Sequence, residues 1–170
     1  MRIYVTESEM KFGPLEETCF LHIEKNPYYG KIQKGMRICE FIYYDVQKEN
    51  LISLEAKKTA PNPKSEQVEN PKEKFREYIH QIREKFENSL DLYLHMALQK
   101  EVPEKFQEID YHTVEVVFVL VIKNHQKEWL KDVNDALQVA VSKTIRTGKI
   151  WKSKVLVLNE ELAGNYCLAE

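Results

Sequence analysis

Glycine is scarce in this chain of 170 residues, with five in all, at positions 13, 30, 35, 148 and 164. Neither GxGxxG nor GxxxxGK[ST] can be written around them, which excludes a Rossmann dinucleotide site and a P-loop. The same positions forbid GxSxG, the strand-to-helix elbow of a serine nucleophile. Cysteine is equally sparse. Cys19, Cys39 and Cys167 are odd in number, far apart and without a CxxC pair, so they read as buried free thiols rather than a zinc or redox site. The five histidines, at 22, 80, 95, 112 and 125, form neither HExxH nor HxxxH, which removes the familiar zinc spacings. No apolar run approaches the roughly 18 residues of a membrane span. The start, MRIYVTESEMKFG, lacks the charged-then-apolar layout of a signal peptide. A cytoplasmic protein with no membrane association is the expectation.

A strong charge of one sign is also missing. Lys and Arg number 25 against 27 Asp and Glu, a net charge of -2. Non-specific affinity for nucleic acid comes mainly from neutralising phosphates, so any such binding must be local or shared with another chain. With 43% hydrophobic and 11% aromatic residues, the chain lies well away from the disordered regime. Its length suits one domain that buries about two-thirds of its unfolded surface.

What is present falls into two halves on either side of a polar run, 57 to 74, KKTAPNPKSEQVENPKEK. Its three prolines and its one large apolar residue, Val68, mark an exposed loop. Before it the segments are short and β-like, over 2 to 5, 18 to 23, 37 to 45 and 51 to 57. The last two are joined by the short polar stretch 46 to 50, which suggests an antiparallel hairpin. A brief helix is expected over 26 to 34, with Asn26 as cap and Pro27 at its first position. After the loop, Asn70, Pro71 and Glu73 supply a cap, a first-turn proline and an acidic residue. Phe75, Tyr78, Ile79, Ile82, Phe86, Leu90, Tyr93 and Ala97 then recur at three-to-four spacing, which predicts a helix reaching Gln99. VEVVFVLVI, 114 to 122, is apolar on both faces except for Glu115, as a central strand should be. An amphipathic helix over 127 to 147 stops at Gly148, and a final strand covers 154 to 158. The order predicts an α/β fold with a mixed central β-sheet flanked by helices. It forms a single domain over 1 to 170, with its core at about 18 to 123 and a helix-strand extension at about 127 to 158.

Chemistry concentrates in RICEFIYYDVQKENLISLEAKK. Alternate residues of a strand share a face, so Leu51, Ser53, Glu55 and Lys57 point one way and Ile52, Leu54 and Ala56 the other, into the core. Glu55 and Lys57 then emerge side by side, with Glu40 on the neighbouring strand. Two converging carboxylates suit Mg²⁺, and a nearby ammonium can orient a water. The register decides which acid joins Glu55. A five-residue turn pairs Asp45 with Leu51 and puts Asp45 on the Glu55 face, whereas a four- or six-residue loop puts Glu40 there. Phe41 fits the core better than a carboxylate, which favours Glu40, with Asp45 as the substitute.

In these residues the chain resembles the PD-(D/E)xK nuclease superfamily, in which an acidic strand residue is followed by (E/D)xK on the hairpin partner, then a helix and a strand. Glu40 and Glu55-Ala56-Lys57 stand fifteen apart, and the likeness spans about 18 to 123. Cys39-Glu40 replaces the usual Pro-Asp. The resemblance implies a restriction-endonuclease-like fold and Mg²⁺- or Mn²⁺-dependent hydrolysis of phosphodiesters, DNA first among them. It makes Glu40 and Glu55 the metal ligands, Lys57 the residue that positions the attacking water, and Gln81 a support on the following helix.

Lys143, Arg146, Lys149, Lys152 and Lys154 place five positive charges in twelve residues, with Trp151 among them and no acid. With Lys57, Lys58 and Lys64 they are candidate phosphate contacts, although a helix C-terminus favours basic residues by itself. His125 follows the central strand, where sites often form. A reading from another class is a catalytically inactive relative that serves as a protein-interaction or assembly module, with a protein partner or as a homodimer. A domain that binds a small anion is a third.

Overall fold

The computed structural model describes residues 1–32, 34–144, 152–166 and 168. Two strands open it, β1 (Arg2–Glu7) and β2 (Met10–Glu16), paired antiparallel as a separate hairpin. Then come the two-residue β3 (Phe20–Leu21), flanked by 3-10 turns, and α1 (Pro27–Ile32). β4 (Phe41–Asp45) and β5 (Asn50–Lys57) form the expected hairpin, and α2 (Pro71–Leu98) follows. β6 (Glu115–Ile122), α3 (Leu130–Thr144), β7 (Ser153–Asn159) and the short α4 (Glu160–Asn165) complete the order.

The main sheet runs β3-β4-β5-β6-β7. β3, β4 and β5 are antiparallel neighbours, while β5, β6 and β7 are parallel. Parallel neighbours need a crossover, and α2 and α3 supply the two. Both helices lie on one face. Ile82 and Phe86 of α2 and Leu137 of α3 pack with Leu51, Phe118 and Leu120 in the larger core. On the other face Phe12 and Leu15 of the β1–β2 hairpin and Ala163 of α4 cover Ile52, Leu54, Val117, Val119 and Val121. β6 is therefore buried on both faces, as its uninterrupted apolar run requires.

The fold is mixed α/β, as expected, but several elements differ in detail. β2 contains Gly13-Pro14, a pair that argues against a strand. It forms because a side chain at Gly13 is what the packing forbids, since a Cβ there would stand 2.8 Å from the Ile3 carbonyl oxygen, at φ +129°. The stretch 18 to 23 is extended only at Phe20–Leu21, with 3-10 turns on either side, and 37 to 40 is irregular rather than extended. The α2 cap is also different. Asn70 sits at φ 51° without a side-chain cap, and its carbonyl accepts the Glu73 and Lys74 N–H groups at 3.2 and 3.1 Å. At α1, Asn26 does cap, with Oδ1 accepting the Tyr28 N–H at 2.9 Å. Cys19 and Cys39 are buried free thiols; Cys167 lies outside the described residues. No described helix is long and apolar enough to cross a membrane.

Candidate active site

The β4–β5 turn decides which acid meets Glu55. Asp45 pairs with Asn50, which leaves four residues in the loop and pairs Phe41 with Leu54. One step further the Glu40 N–H donates to the Leu54 carbonyl at 3.1 Å. Glu55 shares its row with Leu51 and Ser53, and Glu40, one residue before β4, lies at the same end of the hairpin, where the Glu55 charge acts on its carboxyl. Asp45 falls on the opposite row and at the far end of the hairpin, about 16 Å from Glu55 at roughly 3.3 Å per residue. There its Oδ1 accepts the Gln47 and Lys48 N–H groups at 3.1 and 3.2 Å. Asp45 is thus a turn residue and not a member of the site.

The row that emerges from β5 does not reach solvent, because α2 lies across it. Ser53 and Glu55 are 1% and 0% exposed. An ionised carboxylate so enclosed needs counter-charge, and it has two. Lys85 Nζ donates to Glu55 Oε1 at 2.7 Å, and Lys57 Nζ forms an ion pair with the same oxygen at 2.7 Å. Glu55 Oε2 is buried with no hydrogen-bond partner among the described residues. Lys85 enters from the middle of α2, one turn beyond Gln81, and Ser89, one turn further, accepts the Cys39 N–H at 2.7 Å through its buried hydroxyl. That bond ties α2 to the residue before Glu40. It sets the helix against the hairpin.

Electrostatics mark Glu40. Burial first, then the Glu55 charge and a hydrogen bond and charge from Glu24, push its carboxyl up from 4.5 to about 8. Burial by itself would lower the Lys85 ammonium, but Glu55, reinforced by Glu40, outweighs burial and raises it. The Glu40 carboxyl and the Glu55 oxygen without a partner among the described residues are oxygen donors of the kind a divalent cation takes. Among the described residues no three His, Cys, Asp or Glu side chains form a complete metal cage. Mg²⁺ does not require one, because it commonly takes one or two carboxylates and fills its remaining positions with water and phosphate oxygens.

A cavity of about 390 Å³ opens beside this cluster, lined in part by Arg37, Lys57, Tyr78, Gln81 and Lys85. The Tyr78 hydroxyl is buried without a hydrogen-bond partner among the described residues, and burial with the Glu55 charge raises its pKa. Gln81 reaches the cavity but donates to Glu77 Oε1 at 3.2 Å. Glu40, Glu55, Lys57 and Gln81 therefore come together, and Lys85, Tyr78 and Glu24 join them. The sequence carried a signal for two of the three. Tyr78 and Lys85 stand at Gln81 minus three and plus four, the spacing of one helix face.

The basic residues do not form one strip among the described residues. Lys58 and Lys123 both pair with Glu9 at the tip of the β1–β2 hairpin. Lys64 pairs with Asp132 at 2.9 Å and Lys154 with Glu115 at 2.8 Å. Lys143 is exposed beside Arg76 and Arg83 in a shallow groove between α2 and α3. Lys152 is exposed, and its carbonyl accepts the Val116 N–H at 2.8 Å. Arg146 and Lys149 lie outside the described residues. His125 is buried, and its carbonyl accepts Asn159 Nδ2 at 3.4 Å.

Comparison with protein-family models, with curated proteins and with solved structures finds no match to this chain.

Proposed function

We propose that this chain is a Mg²⁺- or Mn²⁺-dependent phosphodiesterase of the PD-(D/E)xK type that acts on DNA. One observation carries the reading: Glu40, one residue before β4, lies near enough to Glu55 of β5 for the Glu55 charge to raise its carboxyl, and Lys57, which lines an open cavity, contacts Glu55. The restriction-endonuclease-like order of hairpin, long helix and parallel strand accompanies it. Glu40 and the free oxygen of Glu55 would hold the cation. When bound, the cation supplies charge neutralisation at the phosphate. Lys57, at the cavity wall, orients a water for in-line attack on phosphorus; a P–O bond to water forms as the bond to the departing oxygen breaks. Gln81, Tyr78 and Arg37 line the space in which the sugar-phosphate chain would lie. The closed surroundings of Glu55 exclude bulk water and strengthen each of these interactions.

A second reading rests on a separate observation. Glu55 is wholly enclosed and both lysines already serve it, while Lys58, Lys64 and Lys154 are spent on internal ion pairs. A self-neutralised cluster in a chain of net charge -2 also suits an inactive relative that works as an assembly module. Incubation with plasmid and single-stranded DNA in Mg²⁺ or Mn²⁺ separates the two. Cleavage abolished by Glu55→Gln and by Lys57→Ala, in variants whose circular dichroism matches the parent, supports the nuclease. Cleavage unchanged in both variants belongs to a contaminant and sinks it. No cleavage by the parent, together with an oligomeric mass in solution, favours the module.

A further inference from the structure

Two ammonium groups on one carboxylate oxygen are one more than charge balance requires. Lys57 and Lys85 differ in how each is held. The Lys57 side chain is 34% exposed, whereas Lys85 is 18% exposed. Both line the cavity, but Lys57 is the last residue of β5. Lys85 springs from the interior of a 28-residue helix. On either side of it, Ile82 and Phe86 are 1% and 0% exposed in the larger core. A helix so packed cannot roll to move Lys85 without opening that core, and the Ser89 bond to Cys39 fixes its register on the hairpin. Lys57 needs only side-chain rotation to leave.

On these grounds we propose that Lys85 is the fixed partner of Glu55, a positioning residue that keeps this carboxylate oriented through the reaction cycle, and that Lys57 is the exchangeable partner that leaves Glu55 to meet phosphate. The inference rests on the nuclease reading for Lys57 and on the fold alone for Lys85. It gives the two lysines opposite behaviour when a cation arrives. Were a divalent cation held by Glu40 and Glu55, it would supply positive charge beside the pair; Lys57 would be the ammonium that gives way, and Lys85 the one that keeps Glu55 oriented.

The test is nitrogen NMR of the full chain with ¹⁵Nζ-labelled lysine, first in EDTA and then in Mg²⁺, with Lys57→Met and Lys85→Met assigning the two signals. In EDTA the Lys85 protons should exchange with water at least tenfold more slowly than those of Lys57. On adding Mg²⁺ the Lys57 signal should move toward that of a free lysine and the Lys85 signal should remain. Kinetics supply a second readout: Lys85→Arg should retain part of kcat with KM near the parent value, whereas Lys85→Met should lose kcat. Faster exchange at Lys85 than at Lys57 in EDTA, or a Mg²⁺-driven shift confined to Lys85, overturns the assignment. If Mg²⁺ moves neither signal, Lys57 release and the nuclease reading fall together, while slow exchange at Lys85 still identifies it as the resident partner.

Discussion

Glu55 sits where a charge is most expensive to keep and two lysines make it tolerable. Removing one side of a buried ion pair leaves the other uncompensated, which typically costs about 3–5 kcal/mol. Glu55→Gln leaves both ammonium groups facing a neutral amide, with the Lys85 side chain only 18% exposed. The expected loss is in that range, read from the denaturant midpoint at constant slope; a change under 1 kcal/mol would mean that the lysines find water instead. Glu40 makes the complementary prediction in pH. Its folded pKa, about 8, lies above the ordinary 4.5, so the folded chain holds this proton longer than the unfolded chain. The stability due to the neutral carboxyl is present in full below the ordinary value and is lost as pH climbs through 8. Glu40→Gln keeps the group neutral. In EDTA its melting temperature should match that of the parent near pH 4.5, pull ahead as pH rises, and hold a constant lead above pH 8. A lead that does not vary with pH contradicts the shift. The residues of this cluster were unequally legible in the sequence. Strand alternation put Glu55 and Lys57 on one row, because a period of two is robust. Lys85 belongs to the same cluster through the roll of a helix, which a three-to-four apolar stripe fixes only loosely.

At the scale of elements, α2 and the β4–β5 hairpin are the working parts, and one buried hydrogen bond couples them. Ser89 Oγ accepts the Cys39 N–H at 2.7 Å, with both residues fully buried. Ser89→Ala leaves that N–H without an acceptor, and an unsatisfied buried donor costs about 1–3 kcal/mol. Urea unfolding should show this loss, and Ser89→Thr, which keeps the hydroxyl, should lose less if its methyl group is accommodated. Equal stability of the alanine variant and the parent would show that water replaces the hydroxyl. Existence and type of the long elements were clear from sequence, since α2, β5 and β6 carry strong periodic or continuous apolar patterns. The hairpin register was not. Its turn reads VQKE, and the residue in the left-handed region is Glu49, at φ 52°. Asn-Gly or Asp-Gly would have announced the turn type and with it the register; a glutamate there gives no such signal. β2 was hidden for the related reason that its Gly-Pro pair is demanded by a close contact with β1 rather than by a turn.

Across the whole molecule, the two faces of the main sheet carry separate duties. Alternation in β5 correctly sends Ile52, Leu54 and Ala56 inward, yet the opposite row is equally enclosed, because the apolar side of α2 needs a surface to cover. A charged cluster between sheet and helix is the result, and the site therefore lies on the α2 face. The β1–β2 hairpin closes the other face, where Phe12, 0% exposed, packs edge-on to Phe41 with ring centroids 5.7 Å apart. The larger and smaller cores share the sheet backbone and the half-buried Leu162 but no fully buried side chain, and distant sites that do not touch a common partner perturb stability additively. Phe12→Ala opens a cavity in the smaller core and should cost about 3–5 kcal/mol. It should leave the Lys57 and Lys85 nitrogen signals unmoved at temperatures well below its melting point. Coupled losses, in which Phe12→Ala shifts those signals or in which the Phe12→Ala, Ser89→Ala pair departs from additivity by more than about 0.5 kcal/mol, would mean that the sheet transmits strain between its faces and that the hairpin belongs to the site as well as to the fold.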